Sequence, residues 1–238
     1  MPPSHSSSGP LASWPGPRTR QALADHARFL KTLIDRPRLT GSVAPSGPWL
    51  ARAMARAVDP ARGGLVVELG PGTGPVTRAL IERGVARERL ALVEYDSGFC
   101  RLLAQRFAPA RIVEGDAYDL PNTLAGLAGE PIAAVVSSLP LLNEPRPRRI
   151  KLLEDAFALM GAGGLFVQFT YGLVSPIPRE ACRGRFSAHC TAPIWRNLPP
   201  ARVWTYRADP HGAFAEPLFA RLIRCAGPAA RRDGGGAS

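Results

Sequence analysis

The sequence predicts an α/β fold, a mostly parallel sheet carrying helices on both faces. Three observations predict it. Short apolar runs rich in β-branched residues alternate with stretches of helical periodicity from Leu65 to Phe169, the rhythm of consecutive β–α–β units. The first run ends in Val66-Val67-Glu68-Leu69-Gly70-Pro71-Gly72-Thr73-Gly74, where alternating glycines let the backbone turn sharply and approach a ligand with no Cβ in the way. Each later run also ends in acidic or small polar residues, and ligands of open α/β sheets bind beyond the carboxyl ends of the strands.

A chain of 238 residues with 45% hydrophobic content is long enough for one sizeable core. The formal charge of +11 and the pI of about 10.6 suit an acidic partner, either nucleic acid or an anionic membrane surface. Lys31 and Lys151 are the only lysines. Arginine dominance, with abundant Ala, Gly and Pro, reflects a GC-rich coding bias, so the charge is a hint and not a site. Cys100, Cys182, Cys190 and Cys225 form no C-x-x-C pair. Cys182, His189 and Cys190 lack a fourth ligand at zinc spacing, so neither a metal site nor a disulfide framework is expected. No apolar run reaches the ~18–20 residues that a spanning helix requires.

In chain order, residues 1–17 are rich in Ser, Pro and Gly and are expected to be a disordered tail rather than a signal peptide. Residues 18–37 are expected to form an amphipathic basic helix: Leu23, Ala27, Leu30 and Ile34 recur on one stripe, Arg18, Arg20, Arg28, Lys31 and Arg36 surround it, and Pro37 ends it. Such a helix either packs on its own domain or lies on a membrane surface, and a lid over the active site does both. The main domain is expected over residues 38–207. Ser46 and Pro48 open a helix to about Val58, and Asp59-Pro60 and Gly63-Gly64 lead into the strand before the glycines.

Next comes a helix from Pro75 to Arg83, closed by Gly84. The strand Leu90–Val93 ends in Glu94-Tyr95-Asp96, and Ser97 caps a helix with Phe99, Leu102, Leu103 and Phe107. The strand Arg111–Glu114 ends in Gly115-Asp116-Ala117, and a weak helix covers Leu120 to Leu127. The strand Ile132–Val136 ends in Ser137-Ser138-Leu139-Pro140-Leu141-Leu142. A helix from Arg146 to Met160 stops at Gly161, and the strand Leu165–Phe169 leads to Thr170-Tyr171-Gly172. Two further runs, Ala192–Trp195 and Arg202–Tyr206, read as a hairpin that closes the sheet with an antiparallel strand. Residues 208–238 are a tail with a short amphipathic helix (Phe214, Leu218, Phe219, Leu222, Ile223) and a disordered end.

A ligand site assembles at the strand ends. Glu68 and the loop Gly70, Gly72, Thr73, Gly74 finish the first strand. Glu94, followed by Tyr95, finishes the second about twenty residues after the last glycine, where a carboxylate accepts both ribose hydroxyls of a nucleoside. Asp116 and Ala117 finish the third, placed for an adenine amino group, and Ser138 finishes the fourth. Any one acid alone also fits a solvated strand end; the ordered set is much harder to dismiss.

Several motifs in one order carry a family resemblance. They are Thr40–Pro48, VVELGPGTGPVT at Val66–Thr77, LVEYD at Leu92–Asp96, EGDAYDL at Glu114–Leu120, SSLPLLNEP at Ser137–Pro145, QFTYG at Gln168–Gly172 and WRNLPPARVW at Trp195–Trp204. From about Asp25 to Arg207 the chain resembles the bacterial phospholipid N-methyltransferases (PmtA-like), whose catalytic domain is similar to that of the ribosomal RNA adenine dimethyltransferases. The resemblance implies a class I, Rossmann-like S-adenosylmethionine-dependent methyltransferase fold: a seven-stranded, mostly parallel sheet with an antiparallel last strand. It implies S-adenosylmethionine as cofactor (product S-adenosylhomocysteine) and stepwise methylation of phosphatidylethanolamine towards phosphatidylcholine. It also implies membrane contact through the Arg18–Arg36 helix, in a cytoplasmic protein held at the inner face of the cytoplasmic membrane.

Two departures separate the chain from the RNA enzymes, the alternative reading. Their Asn-apolar-Pro-aromatic motif corresponds to Ser138-Leu139-Pro140-Leu141, which lacks the amide and the aromatic ring that hold a flipped adenine. Their substantial helical C-terminal domain corresponds here to a short tail. Both departures favour a lipid amine over a nucleobase, and no nucleic-acid partner is expected. Around the transferred methyl, Ser138 and Tyr171 are the expected catalytic residues. Ser138 accepts a hydrogen bond; Tyr171 orients the head group or makes a cation–π contact with methylated ammonium products, and an ordinary core-edge tyrosine is the competing reading.

Overall fold

A computed structural model describes residues 47–178, 185–197 and 199–208. The expectations for residues 1–17, the 18–37 helix, Cys182 and the tail after Ala208 lie outside the described residues.

One seven-stranded sheet organises these residues. Helix α1 (Pro48–Arg56) leads to β1 (Leu65–Leu69), α2 (Pro75–Glu82), β2 (Leu90–Glu94), α3 (Ser97–Phe107) and β3 (Arg111–Glu114). The short α4 (Leu120–Thr123), β4 (Ile132–Ser137), α5 (Arg146–Met160), β5 (Leu165–Thr170), β6 (Phe186–Cys190) and β7 (Arg202–Ala208) complete the order. Spatially the strands run β3-β2-β1-β4-β5-β7-β6. Pairs from β3 through β5 are parallel, whereas β7 runs antiparallel to both β5 and β6. The order reverses beside β1, the switch point at which a crevice opens above the sheet.

Strand alternation divides the core into two layers. Val66, Leu90, Leu92, Val136, Val167 and Val203 pack with α1, α2 and α3 on one face. Val67, Leu69, Val135, Phe166 and Tyr206 pack with α4 and α5 on the other. Every residue of β1, β4 and β5 is buried, which explains their largely apolar runs, broken by Glu68, Ser137, Gln168 and Thr170, and each large aliphatic side chain so buried contributes ~1.5–3 kcal/mol.

Three local expectations are corrected. The residue capping α1 is Gly47, with Pro48 as the first helical residue and the helix ending at Arg56. Asp96, not Ser97, caps α3: its side chain accepts from the Phe99 N–H at 3.0 Å, the usual reach from an N-cap to the third helical residue. The first arm of the hairpin is Phe186–Cys190. The run Ala192–Trp195 gives only an isolated bridge, Ile194 with Ala201. In β6 only Phe186 is buried, so this edge strand carries no alternating pattern and is defined by backbone pairing with β7.

Candidate active site

The glycine loop is built for a close approach. Gly70 takes φ +65° and its N–H bonds to the Val93 carbonyl at 2.9 Å. A Cβ there would lie 2.7 Å from Leu139 Cδ2, so a side chain would have to displace Leu139 as well as adopt a left-handed φ. Gly74, at φ +83°, caps α2, and a Cβ on it would strike the Phe107 ring. Pro75 then occupies the first helical position, where its missing N–H costs nothing.

Glu68 shares a strand face with Val66 and points into the α1–α3 layer with no solvent exposure. Thr77, in the first turn of α2, donates its hydroxyl to Glu68 Oε2 at 2.6 Å, and the Ser138 hydroxyl stands 3.4 Å from Oε1. The Ser138 N–H also donates to the Leu69 carbonyl at 2.9 Å. One carboxyl therefore ties β1, α2 and the end of β4 together beneath the loop. Burial pushes it up from 4.5 to about 8, reinforced by the nearby Glu94 and opposed by the Thr77 and Ser138 hydrogen bonds. At neutral pH, without a cation beside it, Glu68 is mostly protonated.

Glu94 organises the other wall. Its Oε2 accepts from the Gly72 N–H at 3.0 Å, and Oε1 accepts from the Tyr95 and Asp96 N–H groups at 2.9 and 3.1 Å. Burial raises its pKa and these backbone bonds lower it. A carboxylate offers about four lone-pair sites, so one on Oε2 stays open. Gripping both hydroxyls of a ribose requires one Oε1 bond to yield. Tyr95 is half-exposed beside it.

Asp116 Oδ1 accepts from the Tyr118 N–H at 2.8 Å, and Ala117 is buried. Arg148, from the first turns of α5, lies 3.7 Å from Asp116 Oδ2, bonds Glu144 at 2.9 Å and stacks 4.0 Å from the Tyr118 ring centroid. Across the crevice, Tyr171 lies edge-on to Phe169 at 5.4 Å. Burial raises the pKa of its hydroxyl and a hydrogen bond with Asn197 lowers it. Asn197 is itself fixed by the Gly47 N–H on Oδ1 at 3.1 Å and by donation to the Pro199 carbonyl at 2.8 Å.

Glu68, Ser138, Gly72 and Glu94 are thus joined directly or through the loop. Asp116 and Ala117 form one flank and Tyr171 the other. Thr73 contributes its carbonyl to Arg106 at 3.1 Å. Leu141 is buried in the core and Leu142 is exposed, so the position occupied by an aromatic ring in the RNA enzymes presents no stacking face here.

Sequence reasoning gave no role to Thr77, Arg148, Asn197 or Gln168. Gln168 is fully buried and donates to the Leu139 and Phe169 carbonyls, both at 2.8 Å. It fixes the backbone after Ser138, while its Oε1 and the Nε1 of Trp204, its register partner on β7, have no hydrogen-bond partner among the described residues. Thr77, Gln168 and Asn197 stand inside conspicuous motifs, the one signal that pointed to them; Arg148 carried none.

No protein-family model matches the chain. It is 33% identical over 189 residues to the ornithine lipid N-methyltransferase of Singulisphaera acidiphila, a match spanning 78% of this chain and 97% of that protein. It is 45% identical over 172 residues to the ribosomal RNA small subunit methyltransferase A of Caulobacter vibrioides, spanning 65% of this chain and 62% of that one. This chain therefore covers less than two thirds of the RNA enzyme. Among solved structures, the 1,6-didemethyltoxoflavin-N1-methyltransferase of Burkholderia thailandensis, with bound 1,6-didemethyltoxoflavin and S-adenosylhomocysteine, superposes with a TM-score of 0.55 at 19% identity, over 85% of this chain and 93% of that one. TrmN of Thermus thermophilus gives 0.51 at 21% identity, over 76% and 53%. These two likenesses speak to the fold alone.

Proposed function

The chain belongs to the S-adenosylmethionine-dependent N-methyltransferases, and from that premise we propose that it methylates the primary amine of a membrane lipid, carrying phosphatidylethanolamine and its mono- and dimethyl forms towards phosphatidylcholine. One observation carries the lipid class. The match to an ornithine lipid N-methyltransferase spans nearly that whole protein. The buried Leu141 supports the same choice, since a flipped base is held by stacking.

The residues present fit the cofactor. Gly70, Gly72 and Gly74 all take positive φ, which turns the backbone sharply at the end of β1, Glu94 keeps an open acceptor site facing the loop, and Glu68 is a buried carboxyl that ionises when a cation comes near. In this reading Gly70, Gly72, Thr73 and Gly74 line the amino-acid end, Glu94 and Tyr95 hold the ribose, and Asp116 and Ala117 meet the adenine. S-Adenosylmethionine, when bound, supplies an electrophilic methyl group.

The protein's own part is to position the amine and to favour its neutral form, the ammonium proton passing to solvent water. A primary ammonium with a pKa near that of lysine, about 10.4, must shed a proton before its nitrogen can react. Burial beside a positive charge disfavours the ammonium, so proximity supplies much of the acceleration without a dedicated base. Ser138, held between the Leu69 carbonyl and Glu68, offers its carbonyl or hydroxyl to an amine hydrogen. Tyr171, held by Asn197, orients the head group.

Ornithine lipid is the second reading, favoured by the relative's own substrate. Incubation with labelled cofactor and vesicles carrying either lipid, with ribosomal RNA in a parallel reaction, followed by separation of mono-, di- and trimethylated products, tests both. Label in phosphatidylethanolamine supports the first reading and label in ornithine lipid alone supports the second. Label in ribosomal RNA but in neither lipid refutes the lipid class.

A further inference from the structure

Among the described residues the exposed large hydrophobic side chains are Trp49, Tyr95, Leu142, Leu173, Val174 and Trp195, and all six stand at one edge of the sheet. Tyr95 follows β2, Leu142 follows β4, and Leu173 and Val174 follow β5. Trp195 lies between β6 and β7, whose turn sits at the same edge because Arg202 pairs with Thr170, the last residue of β5. Trp49 is in the first turn of α1, which Asn197 fastens there through Gly47. The loops at the opposite edge present none of these six.

The side chains after β4 and β5 and around α1 form a continuous belt. A Cβ on Gly172 would lie 2.9 Å from Leu142 Cδ1, so Leu142 rests against the segment carrying Leu173 and Val174, which are 83% and 69% exposed. Tyr171 then joins that segment to Asn197. Beside Asn197, Trp195 is 76% exposed, and the Arg196 guanidinium lies 4.6 Å over the Trp49 ring. Arg52, which also pairs with Glu82, lies 5.9 Å from the same ring. The belt is aliphatic at one end and Trp–Arg at the other, and it borders the crevice containing Ser138 and Tyr171.

We propose that this belt docks on an anionic phospholipid bilayer, with Leu142, Leu173 and Val174 entering the boundary of the acyl region. Trp49 and Trp195 rest at head-group depth, and Arg196 and Arg52 face lipid phosphates. Tryptophan and arginine suit that interface because one end of each is apolar and the other polar, and basic residues near an anionic leaflet add attraction. The crevice position selects a bilayer over a protein cover. A second copy, or a terminal segment seated permanently on the belt, would close the path to Ser138, whereas a bilayer brings amine head groups to it. This inference rests on the lipid-amine reading and deepens it.

The test uses the full chain and vesicles of phosphatidylglycerol, which carry no methylatable amine. Binding is read by co-sedimentation, and the double variant Leu173→Glu, Val174→Glu is compared with the parent and with Leu173→Ser, Val174→Ser. The parent is expected to bind, the glutamate pair to bind at least tenfold more weakly, and the serine pair to fall between. Methylation of a short-chain amine lipid dispersed below its micelle concentration should stay within twofold for all three. Parent and glutamate variant binding equally, or a parent that does not bind, overturns the proposal. So does a glutamate variant that loses thermal stability while binding normally, because that marks a face covered by the chain itself. Failure of methylation on every amine lipid, dispersed or in vesicles, refutes the substrate reading, and the phosphatidylglycerol result still decides docking.

Discussion

Glu68→Gln should make the protein more stable at neutral pH and worse at holding its cofactor. Burial lifts the Glu68 carboxyl from 4.5 to about 8. Between those values the folded state binds more protons than the unfolded one, so stability falls as pH rises through this window. The contribution is complete below pH 4.5 and is lost by pH 8. At pH 7 the chain has climbed 2.5 units above 4.5, which at about 1.4 kcal/mol per unit is a cost of roughly 3 kcal/mol. Glutamine has the same shape, keeps an acceptor for the Thr77 hydroxyl and never ionises. Urea unfolding without cofactor should therefore show the variant more stable by about 1–3 kcal/mol at pH 7 and by under about 1 kcal/mol at pH 5, the spread reflecting the altered hydrogen bonds. Calorimetry should show weaker S-adenosylmethionine binding, because the amide supplies no countercharge. A variant destabilised at pH 7, or a stability difference equal at both pH values, would refute the assignment of Glu68 as a buried carboxyl held neutral.

Glu94→Ala removes the acceptor of the Gly72, Tyr95 and Asp96 N–H groups together with the proposed ribose contact. Cofactor binding by calorimetry should drop beyond detection, and retained affinity would contradict the role. Gly74→Ala meets both a left-handed φ and the Phe107 ring. It should cost about 1–3 kcal/mol or more in thermal unfolding, against little change for Gly126→Ala, where a Cβ meets nothing within 4 Å. Gln168→Leu frees the Leu139 carbonyl, so kcat should fall more than cofactor affinity if the backbone after Ser138 is what Gln168 positions; equal losses in both would argue against it. Tyr171→Phe should slow the later methylations more than the first, read from the ratio of mono- to trimethylated product.

Much of the architecture is legible in the chain because parallel strands buried on both faces are mostly apolar. The runs at Leu65, Leu90, Ile132 and Leu165 therefore announce themselves, and α5 falls on Arg146–Met160 as its flanking Pro145 and Gly161 indicate. The order of acids at strand ends is legible for a related reason: a strand that stops at the carboxyl edge must end in residues that tolerate it. Legibility fails where pairing rather than pattern defines an element. β6 exposes all but Phe186, so nothing in Ser187–Cys190 distinguishes it from a loop. Asp96 and Ser97 are equally good caps in sequence, and only the Phe99 N–H, aimed at Asp96, separates them.

The sequence by itself determined the kind of protein this is: a parallel α/β sheet, a glycine turn after β1, and carboxylates in the order that suits a nucleoside. Those are properties of single segments, set by periodicity and by the backbone freedom of glycine. Only the tertiary structure decided what the carboxylates are. Glu68 becomes a neutral acid because burial in the assembled α1–α3 layer removes it from water, against the Thr77 and Ser138 hydrogen bonds that favour its charge. Arg148 reaches Asp116 only because α5 crosses that end of the sheet. The exposed belt exists only because loops distant in sequence end at one edge. Desolvation and juxtaposition are properties of the assembled fold, and no stretch of the chain contains them alone.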